Sequence, residues 1–323
     1  MKPNDVPILI LFGPTASGKT GILLELINSS KGLPIEVVSA DSMQVYRGMD
    51  IGTAKPSKDE RFRLPHHLID IRSPGEQFNA GDFVRLADEA CLDIAGRGRL
   101  PVVSGGTGFY LKNFIMGLSE APPSDREIRA RLNRELREKG AAALIEELAA
   151  GDPVSAARIH INDEYRLLRA LEVLRLSGRP LSSYEVPAAQ KRPGFRFIII
   201  GLSRPREELY RRINQRCEEM FRQGLAVEVR KLHEAGFTPR DPGLRAIGYR
   251  EFFVEDEAGW RLSQDIEGVQ ALVAQNSRRY AKRQITFFAS IPDVKWIEVG
   301  SSAETADAET AELVRRELDV YTQ

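Results

Sequence analysis

Gly13-Pro14-Thr15-Ala16-Ser17-Gly18-Lys19-Thr20 fits the spacing G-x-x-x-x-G-K-[ST]. Glycines at those places let backbone N–H groups turn inward around phosphate oxygens. The helix that follows presents its positive N-terminus, Lys19 adds a cation, and the Thr20 hydroxyl suits Mg²⁺. An apolar run precedes the loop and a helical pattern follows it, the context such a loop requires. The motif specifies polyphosphate without specifying a reaction.

A second chemical position is Asp41, in Ser39-Ala40-Asp41-Ser42-Met43-Gln44-Val45-Tyr46, directly after an apolar run. A carboxylate there can act as general base or hold a metal through water; Asp-Ser is equally good helix-cap chemistry. A later run ends in Val103-Ser104-Gly105-Gly106-Thr107, with no acid where many nucleotide hydrolases carry one. Its small residues suit close approach of a ligand or of backbone. Two further stretches, Arg245-Ala246-Ile247-Gly248-Tyr249-Arg250 and Arg278–Phe288, interleave cations with aromatics. Cations hold phosphates and rings stack on unpaired bases, which suits an RNA loop. The competing reading is an amphipathic helix with Ile285 and Phe288 in the core and solvated cations. On a helix, Arg279, Lys282, Arg283 and Thr286 share one face. His66-His67 has no carboxylate or cysteine spacing for zinc, and Arg216, in a polar helix, has no distinguishing context.

The elements that must position these residues alternate. Ile8–Phe12, Ile35–Ser39, His67–Ile71 and Val102–Ser104 read as buried strands, separated by helical patterns over Ile22–Ser30, Phe78–Ala95 and Phe109–Met116. This order predicts an α/β fold, a mostly parallel sheet flanked by helices on both faces. After Ala121-Pro122-Pro123-Ser124 come only helices, over Asp125–Lys139, Ala141–Ala150, Pro153–His160 and Asp163–Leu176, broken at Gly140, Gly151-Asp152-Pro153 and Ser177–Pro180. Pro187–Gly194 leads into strand Phe195–Leu202. Helices over Arg206–Gln223, Ala226–Ala235 and Ile266–Ser290, a strand Val294–Val299 and a surface helix in the tail Ser301–Gln323 complete the reading. The expected division is a core over residues 1–118 and 195–323 with an all-helical insertion over residues 119–194.

The 323 residues carry 46 basic and 46 acidic side chains, so the formal net charge is zero. A polycation that coats nucleic acid in bulk is excluded, and a local basic patch is not. The two cysteines, Cys91 and Cys217, are far apart, which excludes a disulfide framework and a CxxC zinc module; both read as packing residues. No apolar run reaches membrane-span length and the N-terminus has no signal-peptide pattern, so the expectation is a cytoplasmic protein with no membrane association. Nothing indicates an obligate protein partner.

Together the phosphate loop, the long block Asp41–Pro56, Ser104–Tyr110, Arg245–Arg250 and Lys282–Thr286 strongly resemble the bacterial tRNA dimethylallyltransferases, in the family's order and over nearly all the chain except its tail. The resemblance implies a P-loop kinase-like core with a helical insertion. It implies transfer of a five-carbon prenyl group from dimethylallyl diphosphate to the N6 amine of adenosine 37 in the tRNA anticodon loop. The loop Gly13–Thr20 would then hold diphosphate and Mg²⁺, with Thr20 as the metal ligand. Asp41 would take the proton from the amine and Thr107 would lie near the base. Arg216 and His66 match family residues at the diphosphate. Segments matching tRNA contacts are Asp41, Ser42, Met43 and Gln44; Arg129; Tyr165-Arg166-Leu167-Leu168-Arg169; Arg245–Arg250; and Lys282-Arg283-Gln284-Ile285-Thr286-Phe287, with Ala289 a weaker match. Eukaryotic members carry a C-terminal zinc finger, which the cysteine count excludes. Two other reactions share part of these features: prenylation of free AMP, and a P-loop kinase acting on a small molecule. Neither requires the basic–aromatic stretches or a large helical insertion.

Overall fold

The computed structural model describes residues 5–28, 33–184, 192–300 and 305–322. The chain divides into two compact units, residues 1–115 with 192–323, and residues 116–191.

The first unit is built on a parallel sheet with strand order β3-β2-β4-β1-β5-β8. Its strands are β1 (Val6–Phe12), β2 (Ile35–Ser39), β3 (His66–His67), β4 (Leu100–Gly105), β5 (Phe195–Ser203) and β8 (Lys295–Glu298). Helices α1 (Lys19–Asn28), α3 (Ala80–Gly96), α4 (Gly108–Met116), α8 (Arg206–Arg222), α9 (Leu225–Glu234), α10 (Ile266–Phe288) and α11 (Ala306–Thr322) accompany it. Ile8 to Phe12 are fully buried, as expected of a central parallel strand covered on both faces. Leu9 and Leu11 pack with Ile22, Leu23 and Leu26 of α1 and with Val314 and Leu318 of α11. Each such side chain contributes about 1.5–3 kcal/mol by leaving water. Cys91 and Cys217 are both buried.

Three features differ from the reading of the chain. The third strand was expected over His67–Ile71 but stops after His67, because Leu68 and Asp70 take φ of 62° and 59°, which no strand accommodates. A short helix α2 (Lys58–Arg63) precedes it, started by a capping box between Ser57 and Glu60. A hairpin of β6 (Phe253–Asp256) and β7 (Gly259–Leu262) interrupts the mainly helical last third. The parts of the expected helix Ile22–Ser30, of Pro187–Gly194 and of the tail Ser301–Gln323 that fall at 29–30, 187–191, 301–304 and 323 lie outside the described residues.

The second unit consists of α5 (Arg126–Gly151), α6 (Pro153–Arg158) and α7 (Glu164–Ser177), with no strand among its described residues. Gly140, at φ 79°, breaks α5 into two arms. Asp125, Asp152 and Asp163 cap the three helix starts with their side chains, and Gly178 ends α7 in the left-handed conformation. The core is leucine-rich, with Leu132, Leu144, Leu148, Leu167, Leu168 and Leu171 together. Among the described residues no helix is long and apolar enough to cross a membrane.

Candidate functional site

In a parallel sheet every strand delivers its C-terminal end to the same edge, where ligands bind. The register puts Phe12 opposite Gly105 and Gly201, and Ser39 opposite Ser104. The loop after β1, the acid after β2 and the Gly-Gly-Thr turn after β4 therefore meet at one edge. They open onto a cleft of about 790 Å³ whose lining includes Thr15 to Gly21, Asp41 to Gln44, Gly52 to Pro56, His66, Gly105, Gly106, Arg216 and Gln284.

The loop turns through Ala16 at φ 64° and Gly18 at φ 103°, the alternation that aims successive N–H groups into one concavity. Side chains hold it from outside. Arg204 Nε donates to the Ser17 carbonyl at 3.0 Å and Arg212 Nε to the Ala16 carbonyl at 3.0 Å. Arg216 Nη1 donates to Thr15 Oγ1 at 3.0 Å. Arg212 and Arg216 reach the same loop because residues four apart share a helix face, beside the buried stripe Leu209, Ile213, Cys217 and Met220 of α8. Lys19 Nζ donates to the Gly13 and Pro14 carbonyls, each at 3.0 Å. Burial, and then the neighbouring Arg216, push the Lys19 ammonium down to about 8; Asp41 acts in the opposite sense. Burial also lowers Arg216, again against the pull of Asp41. Two desolvated cations that repel one another form a strongly anion-seeking wall.

Asp41 caps a turn, not a helix. Oδ1 accepts the N–H of Met43 at 2.8 Å and of Gln44 at 3.3 Å, which closes the turn after β2. Asp41 Oδ2 carries no such bond among the described residues. Thr107 is brought to the same turn: its N–H donates to the Ala40 carbonyl, and its Oγ1 accepts the Ser42 N–H at 2.9 Å. The approach is so close that a Cβ at Gly105 would run into the Ala40 carbonyl.

The block Asp41–Pro56 is largely irregular backbone held by buried charge. Lys55, with a side chain 1% exposed, donates to the Tyr46 carbonyl, to Asp50 at 2.6 Å and to Asp70 at 2.6 Å. Glu228 of α9 accepts the N–H groups of Asp50, Ile51 and Gly52 and the hydroxyl of Tyr249 at 2.6 Å. Gln44 spends its amide on Ser39 and on the Thr53 and Ala54 carbonyls, while Ser42 and Met43 remain at the cleft. His66 Nδ1 lies 2.7 Å from the Leu64 carbonyl, which can only accept, so that nitrogen carries the proton. Burial lowers the His66 pKa, so the ring is neutral at pH 7.

Arg245, Ala246, Ile247 and Arg250 line the cleft, whereas Tyr249 is fully buried with its hydroxyl on Glu228. On α10, Arg279, Lys282, Arg283 and Thr286 are exposed together, as their spacing predicts. Ile285 is 46% exposed instead of core, and Gln284 takes the buried place beside Phe288. Phe287 is half-buried under Lys112. In the helical unit the Glu172 carboxylate, fully buried, receives Arg129 at 3.4 Å and Arg169 at 3.0 Å. The Arg129 guanidinium lies 4.9 Å from the ring of Tyr165, which is 74% exposed, and Arg166 pairs with Asp163 at the surface. Leu167 and Leu168 are core of that unit.

Reading the chain alone missed Arg204, Arg212, Lys55, Glu228 and Glu172. Only the Arg212–Arg216 pair left a trace there, as arginines four apart. No group of three or more His, Cys, Asp or Glu side chains that could hold a metal occurs among the described residues. The available donor at the loop is the Thr20 hydroxyl, a hard oxygen that fits Mg²⁺ completing its shell with substrate oxygens and water.

A cleft with a phosphate loop after β1, an acid after β2 on the far side of β4, and a cationic rim agrees with what the chain is similar to. The profile of the family described as IPP transferase matches residues 44–291. The tRNA dimethylallyltransferase of Geobacter sulfurreducens is 45% identical over 295 residues, 91% of this chain and 93% of that one. The tRNA dimethylallyltransferase 1 of Pelobacter propionicus is 45% identical over 291 residues, 90% and 92% of the two chains. Among solved structures, the full-length tRNA isopentenylpyrophosphate transferase from Bacillus halodurans superposes with a TM-score of 0.68 at 36% identity, covering 98% of both chains. With the family profile spanning most of the chain and the phosphate loop, Asp41 and Thr107 gathered on one sheet edge, the chain belongs to the IPP transferase family.

Proposed function

We propose that this protein is a tRNA dimethylallyltransferase, which moves a dimethylallyl group from dimethylallyl diphosphate to the N6 amine of adenosine 37 in tRNA and releases diphosphate. The observation that carries the reading is the desolvated pair Lys19 and Arg216 facing Asp41 across one cleft. Breaking the allylic C1–O bond puts negative charge on the departing diphosphate, and preorganised cations stabilise that charge more than they stabilise the bound substrate. The N6 lone pair forms the new bond to C1, and Asp41, through Oδ2, takes the proton the amine gives up. Thr107 borders the base. Mg²⁺, held by the Thr20 hydroxyl and the diphosphate, would offset further charge on the leaving group.

The exposed cations Arg245, Arg250, Lys282 and Arg283 in one unit, and in the other exposed Arg166 and Tyr165 with the partly buried Arg129 and Arg169, are the tRNA contacts of this reading. Leu167, Leu168, Gln44 and Tyr249 support them from within. His66, neutral at pH 7, would assist at the diphosphate by gaining a proton as the anion binds. The acceptor base must leave its stack to reach a cleft of this depth. The protein would act in the cytoplasm, with tRNA.

The test is transfer of labelled dimethylallyl diphosphate, with Mg²⁺, to an unmodified tRNA whose anticodon loop carries adenosines at 36–38. AMP and ATP-only reactions run alongside. Label on adenosine 37 is expected. Label on AMP alone would make the protein an adenylate prenyltransferase, and no prenyl transfer by folded protein would return the P-loop kinase reading.

A further inference from the structure

Gln284 matches an RNA-facing stretch, yet its side chain is buried and hydrogen-bonded at both ends. Its Oε1 accepts the Thr15 N–H at 2.9 Å, in the phosphate loop. Its Nε2 donates to the Gly106 carbonyl at 2.8 Å, in the turn that ends at Thr107. The orientation of the amide follows from its partners, because an N–H needs an acceptor and a carbonyl needs a donor. A Cβ at Gly106 would sit 2.5 Å from Nε2, so glycine is what allows the contact. One turn earlier on α10, Tyr280 lines the same cleft, near Thr107 and Gln284. Phe287 and Phe288 abut Gly108 at the start of α4. One helix therefore touches both the loop that would hold the donor and the turn that would border the acceptor.

We propose that Gln284 is a positioning residue that sets the separation of the diphosphate loop and the acceptor turn, and through it the alignment of allylic carbon and attacking amine. The proposal rests on the transferase reading above. Alignment matters because reacting atoms must come within about 3–3.5 Å, and an error of about 1 Å costs on the order of a hundredfold in rate. Gln284 touches neither reacting atom in this account and acts through Thr15 and Gly106.

The test compares wild type with Gln284→Met, which keeps length without hydrogen bonds, and with Gly106→Ala, which pushes the amide away from the other side. Each is measured for binding of tRNA and of dimethylallyl S-thiolodiphosphate, and for single-turnover transfer with both substrates saturating. Both variants should bind each ligand within about threefold of wild type and transfer about 30- to 100-fold more slowly. The double variant should be no slower than the worse single one, since both changes cut one link. Weaker tRNA binding with an unchanged saturated rate would make Gln284 an RNA contact and overturn the proposal. An unchanged rate in either variant also overturns it. If Gln284→Met does not fold, Gly106→Ala decides alone. A wild-type protein that transfers nothing to tRNA removes the transferase reading and the proposal together, whereas active wild type with an unaffected variant removes only the proposal.

Discussion

Lys19 and Arg216 bind consecutive residues of the same loop, the ammonium on the Gly13 and Pro14 carbonyls and the guanidinium on Thr15 Oγ1. Among the described residues neither cation has a directly paired carboxylate; Asp41 acts on both through space. An anion that settles between them gains from both.

That arrangement makes donor binding pH-dependent. The Lys19 pKa in the folded chain, about 8, lies below its ordinary value of 10.5. The charged form therefore costs the free protein stability below pH 8, and the cost fades as the pH rises from 8 towards 10.5. Donor affinity should run the opposite way and fall as Lys19 loses its proton above about pH 8. Thermal shift by dimethylallyl diphosphate, recorded from pH 6.5 to 9.5, should shrink across that window. Lys19→Met should abolish the trend and slow turnover by about a hundredfold or more. A shift that stays constant from pH 7 to 9.5 would count against Lys19 as the cation concerned.

Asp41→Asn separates the turn bonds of the carboxylate from its proposed proton transfer. Asparagine Oδ1 can still accept the Met43 and Gln44 N–H groups, so melting should change by only a few degrees. Turnover should drop by about 10²- to 10⁴-fold, the usual worth of a general base. Asp41→Ala loses the turn as well and should cost about 1 kcal/mol more stability. Normal turnover by folded Asp41→Asn would remove the proton-acceptor role.

Lys55 holds the Asp41–Pro56 block together from inside, so its removal should be felt as stability. Lys55→Met leaves Asp50 and Asp70 without their shared cation, although Arg61 still reaches Asp70 at 2.9 Å. Lys55 is the buried member while Asp50 and Asp70 stay in contact with water, so losing its charge-assisted bonds should cost about 1.5–3 kcal/mol. Urea denaturation should show a loss of that order, and a change under 1 kcal/mol would mean that the loop is held by Glu228 alone.

Glu172 positions two arginines of the helical unit from a fully buried site. Glu172→Gln keeps the shape and removes the charge that orients Arg129 and Arg169. Affinity for tRNA should weaken about tenfold with the Michaelis constant for dimethylallyl diphosphate unchanged. Arg166→Ala, at an exposed cation, should weaken tRNA binding uniformly and lower its salt dependence by about one counterion. Filter binding at several salt concentrations checks both, and an unaltered salt slope for Arg166→Ala would argue against a phosphate contact there.

Much of this site was legible in the chain because it is written in local backbone demands. The Gly13–Thr20 loop needs left-handed and small residues in one short window, flanked by a strand and a helix, and Asp41 stands where the β2 run ends. The helical segment announced itself through helix starts and stops at Asp125, Asp152 and Gly178. The β3 strand was overextended because nothing in His67–Ile71 signals that Leu68 and Asp70 take positive φ.

What the sequence alone determined was the inventory: a phosphate loop, an acid at a strand end, cations among aromatics, and the alternation that builds a parallel sheet. Those follow from interactions over a few residues, where spacing is geometry. Only the tertiary structure decided which side chains of each stretch face the chemistry. It buried Gln284 between Thr15 and Gly106, left Ile285 in solvent, turned Arg212 and Arg216 onto the loop and placed Glu228 under residues 50–52. A helix pattern fixes rotation only as well as its apolar stripe is sharp, and a polar residue can occupy a buried place whenever distant backbone groups satisfy its hydrogen bonds. Those partners lie as far as 269 residues away in the chain, and folding alone brings them together.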